Sequence, residues 1–357
     1  MQLLQFLDLN GPNIWANFPV VEALVDLGQF EEKPTNRLPG FTARLTRWLP
    51  GLIEHRCSVG ERGGFIRRLE EGTWLGHVLE HVALELHSLS HLPVGYGRTR
   101  ETGEYAHYRV VVECADPHLG RACLESARSL VLAAVDDRSF DVDAAVRSLA
   151  DVANRTCLGP GTRAIVAAAR ARGIPAIRLT GGNLVQLGYG KAQRRIWTAE
   201  TDRTGAIAEN IAQDKQLTRR LLSSAGVPVP AGREATSADD AWAAAQQLEL
   251  PVVLKPGDGN HGRGVSIRLS DRQAVEAAYE YAASEGTSVV VERFVPGTQH
   301  RVLVVGDRAV AASRGHADQV VGDGARTVRE LVEIANQDIQ RGRDSTPFGL
   351  ERPGSAL

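Results

Sequence analysis

A lysine followed by a glycine-rich stretch is the first feature of the sequence that could do chemistry. Residues 255–265 read KPGDGNHGRGV, and the glycines of this stretch are Gly257, Gly259, Gly262 and Gly264. A loop with so few β-carbons can fold closely over phosphate groups and offer them backbone N–H donors. We expect Lys255 to lie beneath the loop and to supply positive charge to the α- and β-phosphates. His261 and Arg263 would then close over the γ-phosphate.

Two other phosphate-binding motifs do not fit this loop. The glycines at 257, 259 and 262 match the dinucleotide-binding pattern, but that pattern must open a helix, and here the strand-like segment VSIRL follows. A Walker loop would end in Gly-Lys-Ser or Gly-Lys-Thr, which this loop lacks. What remains is a glycine-rich hairpin with a lysine on its leading strand. The loop alone leaves a flexible hairpin with a solvated lysine open as the alternative.

Two features elsewhere in the chain favour nucleotide binding. Lys215 lies 40 residues before Lys255, within a stretch over 204–225 that we predict to be one long helix. The apolar strand VVVERFV over 289–295 runs into the carboxylate of Glu292. Flat apolar walls, backbone edges and an acceptor for sugar hydroxyls are what adenine and ribose need. This order of parts is similar to the ATP-grasp fold, in which two α+β subdomains hold ATP between them.

The composition is that of an ordinary soluble protein. The chain has 357 residues, a formal net charge of −2 and 43% hydrophobic residues. A near-neutral balance disfavours a dedicated nucleic-acid binder, and no apolar run approaches the roughly 20 residues that span a bilayer. The N-terminus shows no secretory signal. The four cysteines contain no C-x-x-C pair, which favours the reducing cytoplasm over a disulfide scaffold.

The elements that must position these residues divide into two domains. The breaker cluster LGPGT over 158–162 follows a helical stretch over 139–154, so we place a boundary near residue 157. We predict three segments, namely an N-terminal domain over 1–157, an ATP-grasp-like domain over 158–340 and a disordered tail over 341–357. The expected fold class is α/β of the α+β kind, with a mixed N-terminal domain followed by an incomplete ATP-grasp fold.

Local patterns predict the main elements of both domains. In the first domain, an apolar stripe predicts a helix over 74–91, and β-branched residues predict a strand over 107–114. In the second domain we predict strands over 251–255, 265–269 and 288–294, a helix over 271–284 and a hairpin over 301–313.

Longer strings resemble one enzyme family. GPNIWANFPVVEALVDLG, the segment from LPGFTARL to HVALELH, LGYGKAQRRIWTAETDRTGAIAENIAQDK, VVLKPGDGNHGRGV and VVERFVPGTQHRVLVVG closely resemble cyanophycin synthetases. The resemblance covers residues 1 to about 340. It implies a bacterial enzyme that builds a polyaspartate backbone carrying arginine side chains, with ATP, aspartate and the cyanophycin polymer as partners. The family's ATP-grasp domain converts the polymer's C-terminal carboxylate to an acyl phosphate, which the amine of aspartate attacks. We also expect a homo-oligomer.

The resemblance implies roles for individual residues. Lys215, Lys255, the glycine loop and Glu292 would hold ATP, and His261 would act at the γ-phosphate. Arg301 would clamp a carboxylate, although a surface strand charge explains it nearly as well. Residues expected near the polymer's end are Thr162, Tyr189, Lys191 and Arg194. A packed turn with solvated charges is the alternative for that group.

The sequence departs from the family in its metal ligands and in its length. Phosphoryl transfer needs Mg²⁺ on the phosphates, and the fold supplies the ligands from an acidic residue on one strand and Glu-x-Asn on the next. We find no such pair; Glu333 and Asn336 have the wrong spacing and lie in a predicted helix. The Mur-ligase-like domain of the family is also absent. We therefore expect no complete ligation by this chain alone, which leaves a silent cyanophycin-binding module as an alternative.

A second candidate site lies in the histidine-rich helix of the first domain. His77, Glu80 and His81 form an H-x-x-E-H string, whose i and i+4 spacing puts both imidazoles on one helix face. Such a site would hold Zn²⁺, with Glu80 activating water and Glu85 completing or orienting the ligand set. The corresponding function is metal-dependent cyanophycin hydrolysis. The alternative is that the histidines simply pack beside the apolar stripe.

Overall fold

The computed structural model describes residues 1–258, 262–314 and 320–337. Contacts within the chain divide it into two compact units, Met1–Thr201 and a second that begins at Asp202. Within the described residues, no helix combines the length and the apolar character that crossing a membrane would need. The tail over 341–357, together with Gly259 and His261, lies outside the described residues.

The first unit is built on an antiparallel sheet of four strands in the order β1-β2-β4-β3. The strands are β1 (Gln2–Leu9), β2 (Val20–Asp26), β3 (Gly97–Glu101) and β4 (His107–Glu113). Alternate residues of β2, such as Val21 and Ala23, enter the core, because successive side chains of a strand point to opposite faces. Strand β4 confirms the strand predicted over 107–114.

Five helices complete the core of this unit. They are α1 (Phe41–Trp48), α2 (Gly64–Glu71), α3 (Leu75–Leu89), α4 (Pro117–Val135) and α5 (Val142–Thr156). Helix α3 confirms the predicted apolar stripe, since Val78, Leu79, Val82 and Leu86 are fully buried. Because α3 packs against both α4 and β4, most of its polar positions are buried as well. This helix therefore lies at the centre of the unit.

A smaller layer ends the first unit. It contains α6 (Pro160–Arg170) and the antiparallel strands β5 (Ala176–Arg178), β6 (Leu184–Leu187), β7 (Arg194–Trp197) and β8 (Glu200–Thr201). Val166, Val185 and Ile196 form its small core. Arg178 ties the layer to the start of α4, because its Nη1 donates to Oδ2 of Asp116 over 2.8 Å.

The second unit has its own four-stranded antiparallel sheet, in the order β11-β10-β12-β9. The strands are β9 (Gly232–Ala235), β10 (Val252–Pro256), β11 (Ser266–Leu269) and β12 (Val289–Arg293). They confirm the three strands predicted here. Alanine-rich faces of α9 (Ala238–Gln247) and α10 (Arg272–Glu285) cover one face of the sheet, where Leu254 and Val291 are fully buried.

The remaining elements of the second unit are more exposed. A hairpin of β13 (His300–Val305) and β14 (Arg308–Arg314) matches the one predicted over 301–313, and α11 (Val328–Gln337) follows it. The single long helix predicted over 204–225 is wrong. The structure has α7 (Ala206–Gln213) and α8 (Lys215–Ser224), because the carboxylate of Asp214 accepts from the backbone of Gln216 and Leu217 and caps a new helix.

Truncation of Leu79 to alanine should destabilise the first unit strongly. The side chain is fully buried at the centre of α3, so its removal leaves a cavity and costs about 3 kcal/mol of unfolding free energy. Leu89→Ala is the matched control on the same helix, because Leu89 is 37% exposed and its loss should cost under about 1 kcal/mol. Urea denaturation measures both. Equal losses would contradict the central placement of α3.

Candidate functional site

Strand alternation places Lys255 and Glu292 on one face of the β10–β12 pair. In the antiparallel register Val253 lies opposite Glu292, and Lys255 lies opposite Val290. Lys255 and Glu292 are therefore diagonal neighbours on the face that α9 and α10 do not cover. Lys255 Nζ donates to Glu292 Oε2 over 2.6 Å. The two side chains are only 25% and 12% exposed, so the ion pair lies partly out of water.

A second lysine lies close to this pair. Lys215 is the first residue of α8, directly after the capping Asp214. Burial lowers the pKa of Lys215, and the neighbouring positive charge of Lys255 lowers it further. Glu292 and Asp258 act in the opposite direction on that pKa. The structure thus brings together both lysines and the glutamate that the sequence singled out, within the second unit.

The described ends of the glycine loop are fixed against the start of β12. Gly257 N donates to the carbonyl oxygen of Ser288 over 2.9 Å. The carboxylate of Asp258 accepts from Thr287 N at 3.0 Å and from Thr287 Oγ1 at 2.8 Å, and these bonds lower the pKa of Asp258. Gly264 has φ +69°, and a Cβ there would come within 2.6 Å of Pro256. The loop therefore needs glycine at this point in order to return beside β10.

The described residues do not form a magnesium site around these lysines. Mg²⁺ requires oxygen ligands in near-octahedral geometry. The nearby carboxylates are already engaged, Glu292 with Lys255 and Asp258 with Thr287. The one group of three or more His, Cys, Asp or Glu ligand atoms found within the described ranges lies in the first unit.

The structure exposes Arg301 and three of the four residues expected near the polymer's end, and it buries the fourth. Arg301 lies on β13, opposite Ser313, and is exposed. Tyr189 is 56% exposed, and Lys191 follows it in a short 3₁₀ turn. Arg194 is the exposed first residue of β7, whereas Thr162 is buried in the first turn of α6. Their roles toward a substrate stay predictions.

The histidine helix gathers a second group of residues that could do chemistry. The ligand atoms of Cys57, His77 and His81 all lie within 4.8 Å of one another. His77 Nε2 lies 3.2 Å from Cys57 Sγ, and His77 Nδ1 lies 2.9 Å from Thr73 Oγ1. Burial lowers the pKa of His77 to about 4 and that of His81 well below its ordinary value. Both imidazoles are therefore neutral near pH 7, which is the form that binds metals.

The carboxylates of this helix take other positions than the H-x-x-E-H string suggests. Glu80 accepts from Thr99 Oγ1 over 2.7 Å, and burial raises its pKa to about 7. Glu85 Oε2 lies 3.0 Å from His55 Nε2. The other ring nitrogen of His55, Nδ1, lies 2.8 Å from His81 Nδ1. Cys57, rather than Glu80, completes the compact group. Sequence reasoning missed Cys57 because it lies 20 residues before His77, in a 3₁₀ turn with no spacing motif.

A cleft of about 1260 Å³ opens beside this group. Its walls carry the two histidines and Cys57, together with side chains of both charges, among them Glu54, Arg56, Arg98, Arg100 and Glu101. These residues come from the turns before α2 and from β3. The cleft could therefore receive an extended chain that itself carries both charges.

Comparison with known proteins agrees with this division of the chain. Residues 22–136 match the cyanophycin synthase-like N-terminal domain. Residues 214–314 match the ATP binding domain of the carbamoyl-phosphate synthase L chain, which confirms the expected resemblance to the ATP-grasp fold. The second match includes Lys215, Lys255 and Glu292.

Two relatives that match nearly the whole of this chain are cyanophycin synthetases. The chain is 40% identical over 350 residues to the cyanophycin synthetase of Crocosphaera subtropica, covering 96% of this chain and 40% of that one. It is 41% identical over 348 residues to the enzyme of the same name from a Nostoc species, covering 96% and 39%. A bifunctional glutathione synthetase structure from Pasteurella multocida aligns with 62% of this chain and 31% of its own, at 27% identity and a TM-score of 0.33.

The chain thus spans about two fifths of the length of the cyanophycin synthetases that it matches. The resemblance inferred from the sequence strings is confirmed. This chain combines a cyanophycin synthase-like N-terminal domain with an ATP-binding domain, and along 96% of its length it is similar to cyanophycin synthetases.

Proposed function

We propose that this chain is the ATP-binding part of an amide-forming ligase that acts on cyanophycin. The observation that carries the proposal is the contact between Lys255 and Glu292 beside Lys215, inside the region that matches an ATP binding domain. Two neighbouring ammonium groups suit a triphosphate, which is strongly anionic. Buried Val290 next to Lys255 offers part of an apolar floor for the base.

The ion pair between Lys255 and Glu292 is compatible with a nucleotide-binding site. A partly buried ammonium group without a partner would be costly, so Glu292 compensates Lys255 while phosphates are absent. When a triphosphate binds, Lys255 can turn toward the β-phosphate, and Glu292 becomes available to accept from ribose hydroxyls. The backbone N–H groups of the glycine loop would supply further donors.

The chemistry that follows is the proposed ligation. The C-terminal carboxylate of the polymer attacks the γ-phosphorus, which forms an acyl phosphate and releases ADP. The amine of aspartate then attacks the acyl carbon, forms the amide bond, and releases phosphate. Lys215 and Lys255 would hold the phosphates in line during the first step. This proposal includes aspartate and the cyanophycin polymer as substrates. It also places the protein in the cytoplasm as a homo-oligomer.

Replacement of Lys255 should weaken ATP binding without unfolding the protein. Hydrogen bonds to charged groups contribute about 1.5–3 kcal/mol, so Lys255→Met should raise the dissociation constant for ATP roughly 10- to 100-fold in calorimetry. Lys33→Met, which removes an exposed lysine in the first unit, is the matched control and should bind like the wild type. Undiminished ATP affinity of the Lys255 variant would contradict the proposal.

A second candidate function rests on the group of Cys57, His77 and His81. We infer that these three residues would hold a zinc ion, since a thiolate and two neutral imidazoles are ligands that zinc prefers. Such an ion would activate water for amide hydrolysis, and the cleft with walls of both charges would receive the polymer. Glu80, with a pKa near 7, could exchange a proton during such a reaction.

Metal analysis separates this candidate from simple packing of the histidines. Purified wild-type protein dialysed against zinc should retain the metal, whereas His77→Ala and Cys57→Ser should lose most of it. His118→Ala is the control, because that ring is largely exposed and distant in sequence from the cluster. Shortening of cyanophycin without ATP, abolished by a chelator, would extend the result to hydrolysis. Equal zinc content in all four proteins would refute the site.

A further inference from the structure

Helix α8 carries Lys215 but has little apolar packing to hold it in place. None of its ten residues is buried. In globular proteins a helix is normally located by the burial of one apolar face. The position of α8, and with it the direction of Lys215, must therefore depend on polar contacts.

Two of the polar contacts of α8 join it to other described elements of the second unit. Thr218 Oγ1 donates to the carbonyl oxygen of Ile211 in the preceding helix α7. Arg219 Nη1 donates to the carbonyl oxygen of Gly232, the first residue of β9. The first contact joins two exposed helices, whereas the second joins α8 directly to the sheet.

The acceptor of Arg219 lies at the strand position opposite Glu292. Gly232 pairs with Glu292 in the β9–β12 register. A Cβ at Gly232 would come within 2.7 Å of Glu292 Cγ and 2.6 Å of the carbonyl oxygen of Val291. Glycine therefore lets β9 approach β12 closely at this point, and the guanidinium of Arg219 reaches the sheet beside the carboxylate that pairs with Lys255.

One hydrogen-bond donor of the Arg219 guanidinium group is buried without an acceptor among the described residues. Arg219 Nη2 donates to Gln216 Oε1 over 2.7 Å, but its buried Nε has no hydrogen-bond partner within the described part of the chain. A buried donor left without an acceptor destabilises the folded state. An arginine kept in such a place is better explained by what it positions than by the stability that it adds.

Lys215 and Arg219 are one helical turn apart, so their side chains leave α8 on the same face. We propose that Arg219 is a positioning residue, which holds α8 on β9 so that Lys215 faces the Lys255–Glu292 pair. This inference rests on the proposed function, because Lys215 matters only if the site binds a triphosphate. Direct contact of Arg219 with the nucleotide is the competing explanation.

A double-mutant cycle with two ligands tests the proposal. Dissociation constants for ATP and for adenosine are measured by competition with a fluorescent ATP analogue. The proteins are the wild type, Lys215→Met, Arg219→Met and the double variant, with Arg220→Met as the matched control at an exposed neighbouring position. A residue that acts only through Lys215 adds nothing once Lys215 is gone.

We expect both single variants to bind ATP about tenfold more weakly and adenosine within twofold of the wild type. The double variant should bind ATP within twofold of Lys215→Met. The positioning role is wrong if the double variant loses ATP affinity by the product of the two single losses. It is also wrong if adenosine affinity falls as much as ATP affinity. If Arg219→Met does not fold, Arg219→Lys replaces it; its ammonium lacks the planar fork and should lose ATP affinity while keeping adenosine affinity. Failure of the wild type to bind ATP refutes the proposed function instead.

Discussion

The apolar packing under β10 and β12 fixes the charges above it. Leu254 and Val291 are buried against the small side chains of α9 and α10, and this burial sets the register of the two strands. Because side chains alternate along a strand, a slip of one residue would turn Lys255 into that core. The contact between Lys255 and Glu292 is therefore a consequence of core packing. The register of the two strands is what brings Lys255 and Glu292 together on the opposite face of the sheet.

Patterns within one element were enough to predict the strands and the two residues that they carry. The segments before Glu292 and Lys255 are recognisable as strands because they are short runs of apolar, mostly β-branched residues. Their contact across β10 and β12 is what the structure adds, while their role toward ATP stays a prediction. The error over 204–225 has a local cause. Helical periodicity continues through Asp214, but its carboxylate binds the backbone of the next turn and starts a new helix.

The histidine cluster shows what a single sequence does not reveal. The i and i+4 spacing of His77 and His81 predicted correctly that their rings would meet on one face of α3. Cys57 joins them through the packing of a separate turn, and nothing in its own neighbourhood marks it. Likewise, Arg219 reaches Gly232 across a distance that only the fold defines. Residues brought together by tertiary contacts leave no periodic trace in the sequence.

Solvation distinguishes the two proposed sites, which would take ligands of opposite charge. In the first unit burial is deep enough to remove charge, so His77 and His81 lose their protons and Glu80 tends to keep one. A neutral imidazole can offer a lone pair to a cation. In the second unit the lysines are only partly buried, and Glu292 forms an ion pair with Lys255. Ammonium groups in such a place attract anions, which is the basis of the proposed triphosphate site. The depth of burial, more than the residue types alone, thus distinguishes the proposed metal site from the proposed nucleotide site.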